Sequence, residues 1–253
     1  MRLAFFTVLL MVTVVLAQQP TAQQTGVLRL RVRVKADDAA PLKGLARKRF
    51  FLIPGTLEQN RALISAIEQQ PLTTRDCYYK QHHASAQLIN WLQEGDCESV
   101  YCRSIENEFV TGPKAVPEFA NAFAANHTEF GNDVIALQWL TNYLNPDLRD
   151  GFYKDRQRLL QTLLKQSGMI QSVMTDQKGS AYFTDLGPGT YVISNVLPTE
   201  LGQTLVTWNC EVQIKPEDLA TEKPYLILNR ADKGVKCVGI EKPKPACAAD
   251  ERR

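Results

Sequence analysis

The sequence lacks the short motifs that mark most catalytic and nucleotide-binding sites. It contains no Gly-x-Ser-x-Gly, no Gly-rich phosphate loop, no Cys-x-x-Cys and no His-Glu-x-x-His. Each of these motifs places a nucleophile, a phosphate cradle or a set of metal ligands at a fixed spacing. Histidine is also scarce, with 3 in 253 residues. These absences exclude the motif-bearing serine hydrolases, P-loop proteins and zinc peptidases.

A strong excess of charge of either sign is absent as well. The chain has 29 Lys and Arg residues against 27 Asp and Glu residues, which leaves a formal net charge of +2 at pH 7. The sequence also lacks the basic residues interleaved with aromatic residues that are typical of nucleic-acid-binding modules. We therefore expect no nucleic-acid partner.

The sequence has a single long hydrophobic run, which lies near the N-terminus. Arg2 precedes the apolar segment from Leu3 to Leu16, and the small residue Ala17 follows it. This pattern predicts a secretory signal peptide over residues 1–17. The alternative, an uncleaved membrane anchor, needs roughly 20 apolar residues. We expect an exported protein, periplasmic or at the cell surface, with no transmembrane segment after signal cleavage.

Cysteine usage agrees with export. Six cysteines follow the predicted signal peptide, and an even number in an exported chain predicts disulfide bonds. The connectivity is open, but at least one bridge must join the middle of the chain to its C-terminal part if all six pair. The candidates are Cys77, Cys97, Cys102, Cys210, Cys237 and Cys247.

Strict alternation of apolar and basic residues predicts a strand over Val27–Lys35. A second strand is predicted at about Arg47–Ile53, and its arginines would enlarge the basic face of the first. One interpretation is an anion-binding surface for acidic glycans or phosphate headgroups. We favour the other, a solvated face whose charges prevent edge-to-edge pairing of sheets. The candidate binding residues are Arg29, Arg31, Arg33, Arg47 and Arg49.

The apolar period changes from two to that of a helix after Thr56, where Thr56 and Gln59 predict a capping box. Residues 56–169 are therefore predicted to form a helical insertion with its own core, because a structureless loop of this length is rare in a compact domain. The predicted helices that follow the first one are His83–Glu94, Glu98–Glu108, Pro117–Asn126, Asp133–Leu144 and Asp150–Gln166.

Strands return in the segment that starts at Thr175. A loop is predicted at Asp176–Gly179, and the sequence Leu186-Gly187-Pro188-Gly189 predicts a second turn. Further strands are predicted over Gln203–Ile214 and Pro224–Asn229. Residues 239–253 are predicted to form a flexible tail unless Cys247 is bonded.

The pattern Thr-Asp-x-x-Gly-x-x-x-Phe-x-x-Leu-x-Pro-Gly-x-Tyr, which runs from Thr175 to Tyr191, resembles carboxypeptidase regulatory-like domains. It is also similar to collagen-adhesin B-type domains of bacterial surface proteins, and Pro41-Leu42-Lys43-Gly44 fits the opening of either family. The resemblance implies an α+β fold, in which residues 26–55 and 170–238 form an antiparallel, transthyretin-like β-sandwich interrupted by the helical insertion. Such modules serve many roles, so we expect binding, adhesion or assembly without catalysis.

The collagen-adhesin resemblance further implies an amide crosslink between Lys35 on the first strand and Asn229 on the last. That chemistry needs a buried, protonated acid to polarise the amide. Asn195 stands where the family places this acid, and Lys35 alternates onto the charged face of its strand. We therefore do not expect the crosslink to form.

Two alternatives to a non-enzymatic module remain open. A small metal-dependent or hydrolytic site could use Cys77, His82, His83 or Glu129. A carbohydrate-binding module could present Trp91, Trp139 or Trp208 for stacking, although their apolar patterns favour core positions. We expect no metal, no cofactor, and a protein or glycan partner at the cell envelope. The oligomeric state is left open.

Overall fold

In this computed structural model, the described residues are 25–35, 41–71, 73–165, 167–168, 170–219, 225–228 and 236–247. The predicted signal peptide, Asn229 and residues 248–253 lie outside these ranges. The described chain is a mixed α+β structure in which strands from both ends of the sequence flank a helical middle. The α+β class predicted from the sequence is confirmed.

The strands of the described chain form two larger sheets and one short hairpin. In chain order they are β1 (Gly26–Arg31), β2 (Arg33–Val34), β3 (Lys43–Gly44), β4 (Arg49–Pro54), β5 (Gln171–Met174), β6 (Ser180–Leu186), β7 (Gly189–Ser194), β8 (Thr199–Leu201), β9 (Thr204–Ile214), β10 (Tyr225–Leu228) and β11 (Lys236–Pro243).

The first sheet has the order β10-β1-β6, and the second has the order β11-β9-β7-β4-β5, with β8 paired to β9. The pairs are antiparallel, except that β1 and β10 run parallel, with Val27 opposite Tyr225. The hairpin β2–β3 continues the chain out of the first sheet. Consequently, β1 and β4 belong to different sheets although they are close in sequence.

The helices occupy the middle of the chain and one short later position. They are α1 (Arg61–Gln69), α2 (Arg75–Gln81), α3 (Ala86–Glu94), α4 (Pro117–Phe130), α5 (Asp133–Gln138), α6 (Phe152–Leu164) and α7 (Pro216–Leu219). We call α1 to α6, residues 61–164, the helical unit.

Several helix boundaries follow from local chemistry. Gln59 N–H donates to Thr56 Oγ1 and Thr56 N–H donates to Gln59 Oε1, as in the predicted capping box. These bonds do not begin the helix, because residues 57–60 form turns and α1 starts at Arg61 without a side-chain cap. Thr74 caps α2 and Ser85 caps α3, each accepting from a backbone N–H in the first turn. The predicted helix Glu98–Glu108 is wrong, because this segment forms only two single 3-10 turns. Helix α2 was not predicted.

Two apolar clusters involve the helices. The first is the core of the helical unit, in which Trp91 packs edge-on against Phe119 with ring centroids 5.1 Å apart. The second joins α1 and α6 to the outer face of the larger sheet through Ile67 and Leu160. The helices therefore have their own core, as predicted, but two of them also bury side chains against the sheet.

A third apolar cluster lies between the two sheets. Leu28 of β1 and Phe183 of β6 are fully buried in it, and they meet side chains of the larger sheet. Since side chains alternate along a strand, the opposite face of the larger sheet is free to meet the helices. The residues that the larger sheet contributes include Phe50, Leu52, Ile193, Val212 and Ile214.

The C-terminal segment differs from the prediction of a flexible tail over residues 239–253. Strand β11 runs on to Pro243 and pairs with β9 along its whole length, with Pro243 opposite Thr204. Cys247 is bonded to Cys77 of α2. The boundary at residue 238 is therefore wrong, because edge pairing and a disulfide hold the chain as far as Cys247.

All six cysteines are disulfide-bonded. Cys210 and Cys237 link β9 to β11, Cys97 and Cys102 close a short loop, and the Cys77–Cys247 bridge spans 170 residues. The third of these is the bridge between middle and C-terminal part that the cysteine count required. Disulfide bonds persist in oxidising environments, so the three bridges indicate that the chain folds in such an environment.

No helix of the described chain is long and apolar enough to cross a membrane.

The sequence motif has two separate pieces, one that ends at Gly44 and one that contains Gly179. They contact each other where the β2–β3 hairpin packs on the loop before β6. Gly179 has φ of +75°, and its carbonyl accepts a 2.8 Å hydrogen bond from Val32 N–H. A Cβ on Gly179 would overlap the Val32 carbonyl oxygen, and a Cβ on Gly44 would overlap the Lys178 carbonyl group. Both glycines are therefore required by close backbone contact.

Asp176 closes the same loop. Its Oδ1 accepts 2.8 Å hydrogen bonds from the backbone N–H groups of Ser180 and Lys178. These bonds, the one from Ser180 above all, hold the pKa of Asp176 below its usual value. The carboxylate is the form that the loop needs, so this contribution to stability is lost as pH falls through the lowered pKa.

Replacing Gly179 by alanine should lower the free energy of unfolding by about 2–4 kcal/mol, because the new Cβ adds a backbone clash to the positive φ. Gly112→Ala is the control. Gly112 also has positive φ, at +91°, but nothing lies within 4 Å of a Cβ there. Urea denaturation of both variants measures the difference, and equal losses would contradict the crossing geometry.

Removing the long-range bridge with Cys77→Ser and Cys247→Ser together should cost about 2–4 kcal/mol, since the open chain regains entropy in the unfolded state. Urea denaturation of the double variant and the parent protein tests this. Peptide mapping without reduction should recover the three bridges. Any other connectivity, or unchanged stability, would refute the expectation.

Candidate functional site

The structure does not assemble the predicted metal or hydrolase site. Cys77, its only thiol, is bonded to Cys247 and so can act neither as metal ligand nor as nucleophile. His82 stacks on Tyr78 with ring centroids 4.2 Å apart, and His83 follows in a turn with φ of +57°. Burial raises the pKa of Tyr78 to about 12.

Glu129, the remaining candidate, lies on α4. Its carboxylate accepts a hydrogen bond from the Tyr143 hydroxyl, and this bond raises the pKa of Tyr143. Within the described ranges, no three His, Cys, Asp or Glu side chains are grouped as metal ligands.

The three tryptophans occupy different environments. Trp91 is only 2 % exposed, as expected for a core residue, and Trp208 is half-buried against Phe50. Trp139 is 50 % exposed, so the expectation of a core position is wrong for this residue. Helix α5 ends at Gln138 and a 3-10 turn follows it. With this change of geometry, Ala136 and Leu140 are buried and Trp139 is not.

Trp139 belongs to a group of exposed apolar side chains where α4 meets α5. Phe130 is 48 % exposed, Val134 is 74 % exposed and Ile135 is 37 % exposed. Trp139 N–H donates to Ile135 O at 3.0 Å, and residues four apart share one face of a helix. We call these four residues, Phe130, Val134, Ile135 and Trp139, the α4–α5 apolar surface.

Local sequence holds this surface in place. Gly131 ends α4 with φ of +62°, and Asn132 then caps α5, its Oδ1 accepting from the backbone N–H groups of Val134 and Ile135. Below the turn, the side-chain amide of Asn126 donates to Ala136 O at 2.8 Å and is fully buried. The exposed side chains therefore stand on a hydrogen-bonded base.

Polar groups border the α4–α5 apolar surface. His127 Nε2 lies 3.2 Å from Asp133 Oδ1, and Glu129 and Tyr143 form the hydrogen bond described above. A cluster of apolar side chains with a polar rim is the usual composition of a protein-binding patch.

The predicted basic residues divide into two groups. Arg31 is exposed, Arg33 donates to Leu42 O, and the guanidinium of Arg29 lies 5.9 Å from the Tyr182 ring centroid. Arg47 and Arg49 instead line a cavity between the larger sheet and the helical unit. They do not enlarge the basic face of β1, because β1 and β4 lie in different sheets.

The structure does not test the Lys35–Asn229 crosslink that the resemblance implies and that we do not expect to form. Lys35 is exposed, and Asn229 lies outside the described residues. Asn195, at the position of the required acid, is buried with a structural role. Its amide donates to Val206 O at 3.0 Å, and its Oδ1 accepts from Trp208 N–H at 2.8 Å.

Comparison with known proteins found no match to this chain. No protein-family model matches the chain, and neither a curated protein nor a solved structure matches it. The role of the protein must therefore be argued from its own residues.

Asn126→Ala should lower the free energy of unfolding by about 1–3 kcal/mol, because it leaves Ala136 O buried without its donor. Asn121→Ala, on the exposed side of α4, is the matched control and should change stability little. Urea denaturation gives both values. Asn126-His127-Thr128 has the form of a glycosylation sequon. The burial of Asn126 predicts that it carries no glycan in the folded protein, which intact mass would show.

Proposed function

We propose that this chain is an exported, non-enzymatic binding or assembly module, and that it binds a protein partner through the α4–α5 apolar surface. One observation carries the proposal: four large apolar side chains are exposed together on a base fixed by the Asn132 cap and the buried Asn126. Exposed apolar groups of this kind cost solubility and are typical of interaction sites.

Export is supported by the disulfide bonds together with the N-terminal sequence. Bonding of all six cysteines is compatible with an oxidising compartment, periplasmic or extracellular. The apolar segment Leu3–Leu16 with Ala17 has the pattern of a secretory signal.

For the scaffold, we propose a transthyretin-like β-sandwich of the carboxypeptidase regulatory-like or collagen-adhesin type. Two observations support it. Side chains of both sheets share one apolar cluster, and the two motif pieces, at Gly44 and Gly179, contact each other. In this proposal, the insertion at residues 56–169 supplies the binding surface while the sheets supply rigidity.

A protein partner is favoured by the aliphatic part of the surface. Val134 and Ile135 offer no hydrogen bonds and no flat face for a sugar ring, whereas both suit an apolar groove or helix on a protein. Trp139 alone supports a second candidate, a glycan that stacks on its ring, in line with the carbohydrate-binding alternative.

The test uses a photo-crosslinking amino acid at position 134, in protein added to envelope extracts of the source cells. A defined partner should be crosslinked from position 134 but not from position 101, where Tyr101 is 56 % exposed on the 3-10 turn Val100–Cys102. Adding Ile135→Ser and Trp139→Ser should reduce the yield at least tenfold, since central tryptophans dominate interface energies.

The results separate the candidates. Loss of the crosslink on deglycosylation of the extract would favour the glycan. Equal yields from positions 134 and 101, or yields insensitive to the serine substitutions, would refute the α4–α5 apolar surface as the binding site.

A further inference from the structure

A small cavity lined by both charged and apolar side chains lies between the start of β4, helix α6 and the turn that follows β7. Its volume is about 60 Å³. We call it the junction cleft. The lining residues that matter for its chemistry are Arg47, Lys48, Arg49, Glu98, Tyr153 and Arg156.

The charges of the junction cleft do not balance. Four cationic side chains line it against the single carboxylate of Glu98. Arg156 Nε lies 3.3 Å from that carboxylate, and Lys48 Nζ lies 2.8 Å from Asp96 Oδ2 just outside. Two cations, Arg47 and Arg49, are left without a carboxylate among the described residues.

The two remaining guanidinium groups are held differently. Arg47 donates one N–H to the Gly95 carbonyl, an uncharged group that does not neutralise the guanidinium. Arg49 is half-buried and its backbone belongs to the β4–β5 pair, but its guanidinium has no hydrogen bond or ion pair within the described part of the chain. A partly buried guanidinium without a partner is unfavourable, so an anion that bound here would gain two charge-assisted contacts.

Backbone strain concentrates around the same cavity. Arg47 has φ of +53°, Asp96 has φ of +49°, and Val196, between lining residues of the β7–β8 turn, has φ of +54°. Residues with side chains rarely adopt this region, and such outliers cluster at binding sites. Glycine would adopt the positive φ at position 47 with less strain than the arginine that the sequence has there.

The walls of the cleft are fixed by hydrogen bonds that do not involve its cationic groups. Arg47 N–H donates to Thr175 O at 2.9 Å, and Thr175 Oγ1 accepts from Lys48 N–H at 3.0 Å. On the opposite side, Asn195 ties the turn to β9 as described above. The cationic side chains thus start from a backbone that needs no rearrangement on binding.

We propose that the junction cleft binds a single phosphate or sulfate group, with Arg47 and Arg49 as its main charged contacts. Two uncompensated positive charges match the charge of a doubly ionised oxyanion, and arginine suits oxyanions because its fork of N–H donors fits their geometry. At roughly 15 Å³ per water position, the cavity holds about four waters, so it has room for one small oxyanion. The site is independent of the α4–α5 apolar surface.

Binding of inorganic phosphate and sulfate is measured by calorimetry and by thermal unfolding, with sodium chloride holding the ionic strength constant. We expect saturable binding at one site and a rise in the melting temperature, because a ligand of the native state stabilises it. Absence of saturable binding of both ions would overturn the proposal, unless the sulfated oligosaccharide described below binds.

Three variants locate the site. Arg49→Gln and Arg47→Gly should each weaken binding at least tenfold, the loss expected for one charge-assisted contact. Glycine at position 47 fits the positive φ, so this variant keeps its fold, which near-ultraviolet circular dichroism verifies. Arg31→Gln removes the same charge from an exposed strand position and should leave affinity unchanged. An equal loss in Arg31→Gln would refute a specific site.

A second experiment distinguishes a free inorganic ion from a sulfated glycan as the natural ligand. A sulfated oligosaccharide and its desulfated form are compared with the inorganic ions. Tighter binding of the sulfated form, lost in Arg49→Gln, identifies an acidic glycan as the natural ligand. Equal or weaker binding than inorganic phosphate identifies the free ion. If none of these probes binds, the proposal is wrong.

Discussion

Strand β4 lies between two apolar layers, and this double burial determines where the other elements can pack. Phe50 and Leu52 point into the cluster between the sheets, while Phe51 and Ile53 point into the cluster with α1 and α6. Each buried side chain of this size contributes about 1.5–3 kcal/mol. The sheets and the helical unit are therefore joined through the same six-residue strand rather than by a linker.

The same strand explains why charged side chains line the junction cleft. Arg47, Lys48 and Arg49 directly precede Phe50, so the chain changes from charged to fully apolar within one residue. Once Phe50 and Phe51 are buried on opposite faces, the charged residues must lie at the seam between sheet and helices. Of the three, Lys48 pairs with a carboxylate there, that of Asp96 in the loop after α3.

Sequence patterns predicted local features better than positions that depend on distant contacts. The reciprocal hydrogen bonds of Thr56 and Gln59 and the positive φ of Gly179 follow from neighbouring residues alone, and both are found, although α1 begins only at Arg61. Helix α2 was missed because its apolar face is made of Cys77, Tyr78 and Tyr79, which show no helical period.

The candidate sites were largely out of reach of such patterns. Trp139 is exposed because α5 ends one residue earlier, and a periodic apolar pattern cannot show that end. The junction cleft brings Arg49 next to Arg156, more than a hundred residues away in sequence, so only the packing reveals it.

The Cys77–Cys247 bridge also joins distant parts of the chain, and it has a mechanical consequence. A pulling force applied to the chain beyond Cys247 would be transmitted through the Cys77–Cys247 bond to α2 before it could separate β11 from β9. The Cys210–Cys237 bond is a second covalent link that holds β11 to β9. A molecule tethered at that end would resist pulling through covalent bonds rather than through hydrogen bonds.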